Sequence, residues 1–126
     1  MKKFNYDLVL AAVITLFANV ALASGCDVLK GETTFAVCKT CHTSSKDDRS
    51  FVGPNLFAVV GRDIAAKNDF FYSPALSEKK GVWDDQNLND FLANPAKAIP
   101  GTMMAFGGIK DENQRQNLIC FLKNLK

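Results

Sequence analysis

Cys38-Lys39-Thr40-Cys41-His42 is the stretch of this sequence on which the reading of the rest depends. Two thiols three positions apart, followed at once by an imidazole, make the C-x-x-C-H pattern of covalent haem attachment. Each Cys can add across one haem vinyl group as a thioether, and the turn between them matches the separation of those groups. His42 is then held beneath the ring, where it can ligate iron. Two rival chemistries use similar residues. A thioredoxin-like disulfide belongs at the end of a strand in a βαβ pattern, and no β-rich pattern precedes Cys38. Zinc wants four nitrogen or sulfur ligands. His42 is the only His in the chain, so zinc would have to recruit three cysteines from distant places.

An iron that only moves electrons needs a second axial ligand, because an open position binds small molecules. A thioether there favours the ferrous state and raises the potential. Beyond the N-terminal segment the chain offers Met103 and Met104, side by side after Pro100-Gly101-Thr102. Pro and Gly make this an irregular loop rather than a helix. Two Met in a loop ordinarily fill core; beside a haem motif, one of them is the expected iron ligand.

The chain has 126 residues, 48% of them apolar, with a formal net charge of +2. This suits one small domain with a core that a bound cofactor would reinforce. Residues 1–23 read as a cleaved export signal. Lys2 and Lys3 are followed by an apolar run from Leu8 to Ala18, and Ala21-Leu22-Ala23 supplies small residues for a peptidase. The alternative is an uncleaved anchor, although the stretch is short for a spanning helix. A lipoprotein reading, with Ser24-Gly25 before Cys26, is weaker because Ala23 stands where Leu is usual. Residues 24–126 then form the exported domain. Its net charge of about +1 is scattered along the sequence, which excludes a nucleic-acid stripe and favours a solvated surface.

The remaining pattern predicts an all-α fold. Asp27 can cap a first helix running toward Cys38, with Val28, Gly31 and Phe35 at helical spacing. Ser73, Pro74 and Gly81 frame a helix over Ala75 to Lys80. Asp84 can cap the next helix, whose buried stripe is Leu88, Phe91 and Leu92 and which Pro95 stops. Trp83 and Leu88 could staple its start, and Asp111 with Gln114 resembles a capping box for the last helix. There Leu118, Phe121, Leu122 and Leu125 repeat at core spacing.

Together these residues resemble the class I cytochromes c, the soluble bacterial and mitochondrial carriers, over about residues 27–126. The motifs stand in family order. They are Gly31-Glu32 with Phe35, Gly53-Pro54-Asn55-Leu56, Gly61-Arg62, Tyr72, Trp83, Asn94-Pro95, the run Pro100 to Phe106, and Gly108-Ile109-Lys110. The resemblance implies a small cytochrome c fold. Short helices wrap one covalent haem c on Cys38 and Cys41, and the N- and C-terminal helices cross. It implies His42 and Met104 as axial iron ligands, with the Pro54 carbonyl accepting the His42 ring N–H. Arg62, Tyr72, Trp83 and Thr102 are implied at the haem pocket and propionates. Core packing is the plainer reading of Tyr72 and Trp83.

The implied function is one-electron transfer in a respiratory or photosynthetic chain, not enzyme catalysis. Electrons would pass from a quinol–cytochrome c oxidoreductase to a terminal oxidase or reductase. The mature chain would be a soluble periplasmic monomer. Cys26 and Cys120 are left over. In the family the helices near them cross, and an oxidising compartment favours pairing, so they are disulfide candidates. A buried inert Cys120 with a free or lipidated Cys26 is the alternative. The chain also departs from its relatives. Leu76 stands where many carry Asn and Phe91 where many carry Tyr, which implies a drier pocket. Val37, Phe51, Ala96 and Met103 occupy places where relatives often carry Lys; Lys39 and Lys97 stay.

Overall fold

The computed structural model describes residues 25–126, so the export-signal reading of residues 1–23 lies outside the described residues. The chain order is α1 (Val28–Phe35), a single 3₁₀ turn (Cys38–Thr40), α2 (Pro74–Ser77), α3 (Asp85–Ala93), α4 (Pro95–Ala98) and α5 (Glu112–Lys123). Among the described residues the β structure is one isolated antiparallel bridge between Asp63 and Val82. No described helix is long and apolar enough to cross a membrane.

The helices begin where short polar side chains satisfy otherwise free N–H groups. The Lys30 N–H donates to Asp27 Oδ1 at 3.0 Å, and the Asn87 N–H to Asp84 Oδ1 at 2.7 Å. The Gln114 N–H donates to Asp111 Oδ1 at 2.7 Å, which forms the aspartate half of the expected box. Ser73 caps α2 with Pro74 at the first position, but α2 ends at Ser77 instead of continuing to Lys80. Its one buried residue is Leu76, so nothing apolar follows to hold a further turn. Pro95 both ends α3 and starts α4. Asn94 is the C-cap of α3 and the N-cap of α4, accepting the Lys97 N–H at 3.1 Å.

α1 packs on α5 at a point that requires glycine. A Cβ on Gly31 would collide with the Asn117 carbonyl and with Phe121 Cβ. The Asp27 N–H also donates to Asn117 Oδ1 at 3.1 Å. Cys26 and Cys120 are joined by a disulfide across the same contact, with Cα atoms 5.7 Å apart, inside the separation a disulfide tolerates. Phe35 and Leu118, both at 0% exposure, anchor the first core cluster, which also holds Val59, Leu88, Leu92, Ile109, Ile119 and Leu122. A second cluster of Ile64, Leu76, Phe91 and Ile99 packs against Met104 and Tyr72. Trp83 touches both clusters, its ring centroid 5.0 Å from that of Phe91. The side chains that line the gap between these clusters define the site.

Candidate functional site

A cavity of about 550 Å³ opens between the two clusters, within the roughly 300–1,000 Å³ of small-molecule and cofactor sites. The end of α1 and the 3₁₀ turn supply Phe35, Val37, Cys38, Thr40, Cys41 and His42. The following loop supplies Val52, Gly53, Pro54, Leu56 and Val59. The opposite wall is Phe70, Tyr72, Ser73, Leu76, Leu88, Phe91 and Leu92, and the segment after α4 adds Met103, Met104, Ala105 and Phe106. Leu118 and Leu122 of α5 complete it. None of these residues is Asp, Glu, Lys or Arg.

The 3₁₀ turn brings the two thiols and the imidazole to one wall. The Cys41 and His42 N–H groups both donate to the Cys38 carbonyl, at 3.1 and 2.9 Å, which folds the C-x-x-C-H stretch on itself. Cys38 and Cys41 are free and partly buried. Burial pushes the Cys38 thiol up to about 11. His42 Nδ1 lies 2.7 Å from the Pro54 carbonyl oxygen. A carbonyl only accepts, so Nδ1 carries the proton and the neutral ring keeps its lone pair on Nε2. Burial holds His42 below its ordinary value, and the bond to Pro54 opposes this in part. Gly53 makes the arrangement possible, since a Cβ there would strike the imidazole.

The Pro54 carbonyl is itself held in place by a network that the sequence did not reveal. Asn55, 1% exposed, donates from Nδ2 to the Ser45 and Asp48 carbonyls at 2.9 Å each. Its Oδ1 accepts the Phe57 N–H at 2.7 Å. Ser50 Oγ accepts the Asn55 N–H at 3.1 Å and donates to Asp69 Oδ1 at 3.0 Å. A buried Asn with every polar atom matched shapes the loop. In the sequence it was one member of the Gly53-Pro54-Asn55-Leu56 run, with no role attached.

The residues expected at the haem pocket are placed differently from one another. Met104 and Tyr72 line the cavity. The Met104 N–H donates to Thr102 Oγ1 at 3.3 Å, so Thr102 shapes the Met104 turn and does not line the wall. Trp83 does not line the cavity; its ring packs on that of Phe91, which does. Arg62 donates from Nη1 to the Phe57 carbonyl and from Nη2 to the Asn55 carbonyl, both at 2.9 Å. Its Nε is buried without a partner, which is costly for a guanidinium unless something else satisfies it. The Tyr72 hydroxyl accepts the Lys67 N–H at 3.3 Å. Ser73, read in the sequence as a helix cap, and Phe106, the end of the Pro100 to Phe106 run, also line the cavity, as do Val52 and Phe70, which carry no motif that would have marked them.

No family model matches the chain. Cytochrome c of Kluyveromyces lactis is 42% identical over 94 residues, covering 74% of this chain and 86% of that protein. Cytochrome c2 of Agrobacterium tumefaciens is 40% identical over 99 residues, covering 76% and 89%. Among solved structures, cytochrome cH from Methylobacterium extorquens matches with a TM-score of 0.72 at 38% identity, covering 77% of this chain and 97% of that one.

Proposed function

Because this chain belongs to the class I cytochrome c family, an electron-transport family with one covalent haem c, we propose that Cys38 and Cys41 carry the haem and that His42 and Met104 ligate its iron. The observation that carries this reading is the His42 Nδ1–Pro54 carbonyl bond of 2.7 Å, in a cavity that also gathers both free thiols and Met104. The residues fit an iron porphyrin. Apolar walls suit a flat ring, two thiols suit its vinyl groups, and imidazole and thioether suit iron. The buried, unpartnered Nε of Arg62 is a donor that a propionate carboxylate would satisfy, and Tyr72 brings a hydroxyl to the cavity wall.

When bound, the haem supplies a one-electron ferric–ferrous couple. The protein's part is to hold and exclude. The Pro54 carbonyl fixes the His42 tautomer and raises its basicity as a ligand. Ile64, Leu76, Phe91 and Ile99 keep the Met104 side apolar. Ligands fixed on both faces leave little to rearrange when charge changes. Catalysis at iron would need an open position and a nearby acid–base group. The chain's only His is already bonded to Pro54, and Met104 stands ready to close the site. We therefore read a carrier and not an enzyme.

The partners of such a carrier are redox proteins. The finer reading is transfer from a quinol–cytochrome c oxidoreductase to a terminal oxidase or reductase, in a respiratory or photosynthetic chain. Residues 1–23 read as an export signal that delivers a soluble monomer to the periplasm. One preparation tests the whole reading. Intact mass should show one covalent haem, and the ferric spectrum should show the weak near-infrared Met–iron band. Met104→Ala should lose that band and gain carbon monoxide binding in the ferrous state. A parent protein lacking the band, or one that binds carbon monoxide readily, overturns the His/Met assignment.

A further inference from the structure

We propose that the mouth of the cavity is an apolar, weakly charged docking surface for a redox protein that presents an apolar face of its own. The proposal rests on the reading above, because the electron must cross where the cavity opens. Val37, Val52 and Met103 all line the cavity yet are 51%, 62% and 60% exposed, so they form its rim. They come from three separate segments: the start of the 3₁₀ turn, the loop before Pro54 and the loop after α4. Phe51 and Phe71, 68% and 83% exposed, adjoin the lining residues Val52, Phe70 and Tyr72 in sequence.

Single exposed apolar side chains are ordinary; their concentration at one opening is not. Of the eight large hydrophobic residues exposed among the described residues, three line this rim and a fourth, Phe51, adjoins it in sequence. No charged side chain lines the cavity. Lys39 stands beside this wall, its Nζ 5.9 Å from the ring of the lining residue Phe35. A partner that relied on an acidic patch would find little here to pair with, and its carboxylates would be desolvated against Val and Phe without compensation. An apolar, uncharged partner face is the complement, as in the dry core of a protein–protein interface. Electrostatic steering then contributes little to encounter.

The test uses the holoprotein and quinol-reduced membranes of the source organism, with stopped-flow detection of haem reduction. Dithionite reduction serves as a partner-free reference. The parent rate should change by less than about twofold between about 10 mM and about 0.2 M salt. Phe51→Lys, beside the rim residue Val52 but outside the cavity wall, should slow it by about tenfold at low salt, and Phe51→Ala should slow it in the same direction. Both variants should keep the parent's midpoint potential and its dithionite rate. A parent rate that falls steeply with salt overturns the proposal, as does a Phe51→Lys variant that reacts as fast as the parent or faster. Dimerisation through this face would assign it to a second copy, and flotation with phosphatidylglycerol vesicles would assign it to lipid; either result overturns the proposal. Failure of dithionite to reduce any iron in the chain would instead overturn the proposed function itself.

Discussion

The imidazole of His42 lies directly against the α-carbon of Gly53, so closely that a side chain on residue 53 would occupy the ring's position. The two residues are eleven apart, yet the Gly53 N–H donates to the Cys41 carbonyl at 2.7 Å. Gly53 therefore ties the loop to the turn that carries the thiols, while its missing side chain leaves room for His42 to reach Pro54. Gly53→Ala should displace the ring and stretch the Nδ1–Pro54 bond. Overpacking of this kind costs about 1–3 kcal/mol. Denaturant unfolding of holoprotein should show that loss, together with a shifted midpoint potential. Unchanged values for both would contradict the close approach.

The apolar wall beside Met104 bears on the redox equilibrium. Ferric haem carries one more positive charge than ferrous haem, and a low-polarity surrounding disfavours it. Leu76 is 9% exposed and belongs to the cluster packed on Met104. Leu76→Asn should lower the midpoint in a redox titration and cost about 1–3 kcal/mol for the buried amide. An unchanged or raised midpoint would contradict the idea.

The disulfide between Cys26 and Cys120 spans 94 residues of sequence and closes almost the whole described chain. Bridges that close long loops restrict the unfolded chain most, and losing a native one typically costs about 2–5 kcal/mol. Cys26→Ser with Cys120→Ser should lower Tm accordingly and leave the optical spectrum intact. Reduction of the parent should add the mass of two hydrogens. A parent mass insensitive to reductant would show two free thiols.

Asp69 clamps the loop before Pro54. Its carboxylate accepts the Ser50 N–H at 2.8 Å and the Ser50 hydroxyl at 3.0 Å. The Ser50 backbone bond is the main cause that holds Asp69 below its ordinary 3.8. A depressed folded-state value means stability that is present above 3.8 and lost as pH falls through the lower folded value. Asp69→Asn should therefore lower the Tm of holoprotein at pH 7. The gap between variant and parent should close as pH is taken below 3.8. A gap that persists unchanged in acid would place the clamp's contribution elsewhere.

C-x-x-C-H was legible at once because attachment chemistry is local: two thiols and an imidazole at fixed spacing need only a turn. The caps at Asp27, Asp84 and Asp111 were legible for the same reason, since each side chain satisfies an N–H three residues on. Ser73 and Pro74 correctly located a start but not an end, because the length of α2 depends on what its last turn can bury. Pro95 read as a stop and proved also to be a start, since Asn94 caps the helix beyond it. The crossing of the first and last helices was implied by the family resemblance, but the contact that requires glycine, Gly31 against Asn117 and Phe121, joins segments distant in sequence.

Local spacing thus determines the haem motif and the helix starts, and it narrows the second ligand to Met103 or Met104, between which only the family resemblance implies Met104. Tertiary packing decides what those residues face. It makes Asn55 the organiser of the Pro54 loop, turns two Arg62 nitrogens to backbone carbonyls, and gathers Val37, Val52 and Met103 at a single opening. The physical reason is that capping and turn chemistry act over three or four residues, whereas burial and hydrogen-bond satisfaction depend on segments brought together across the whole chain.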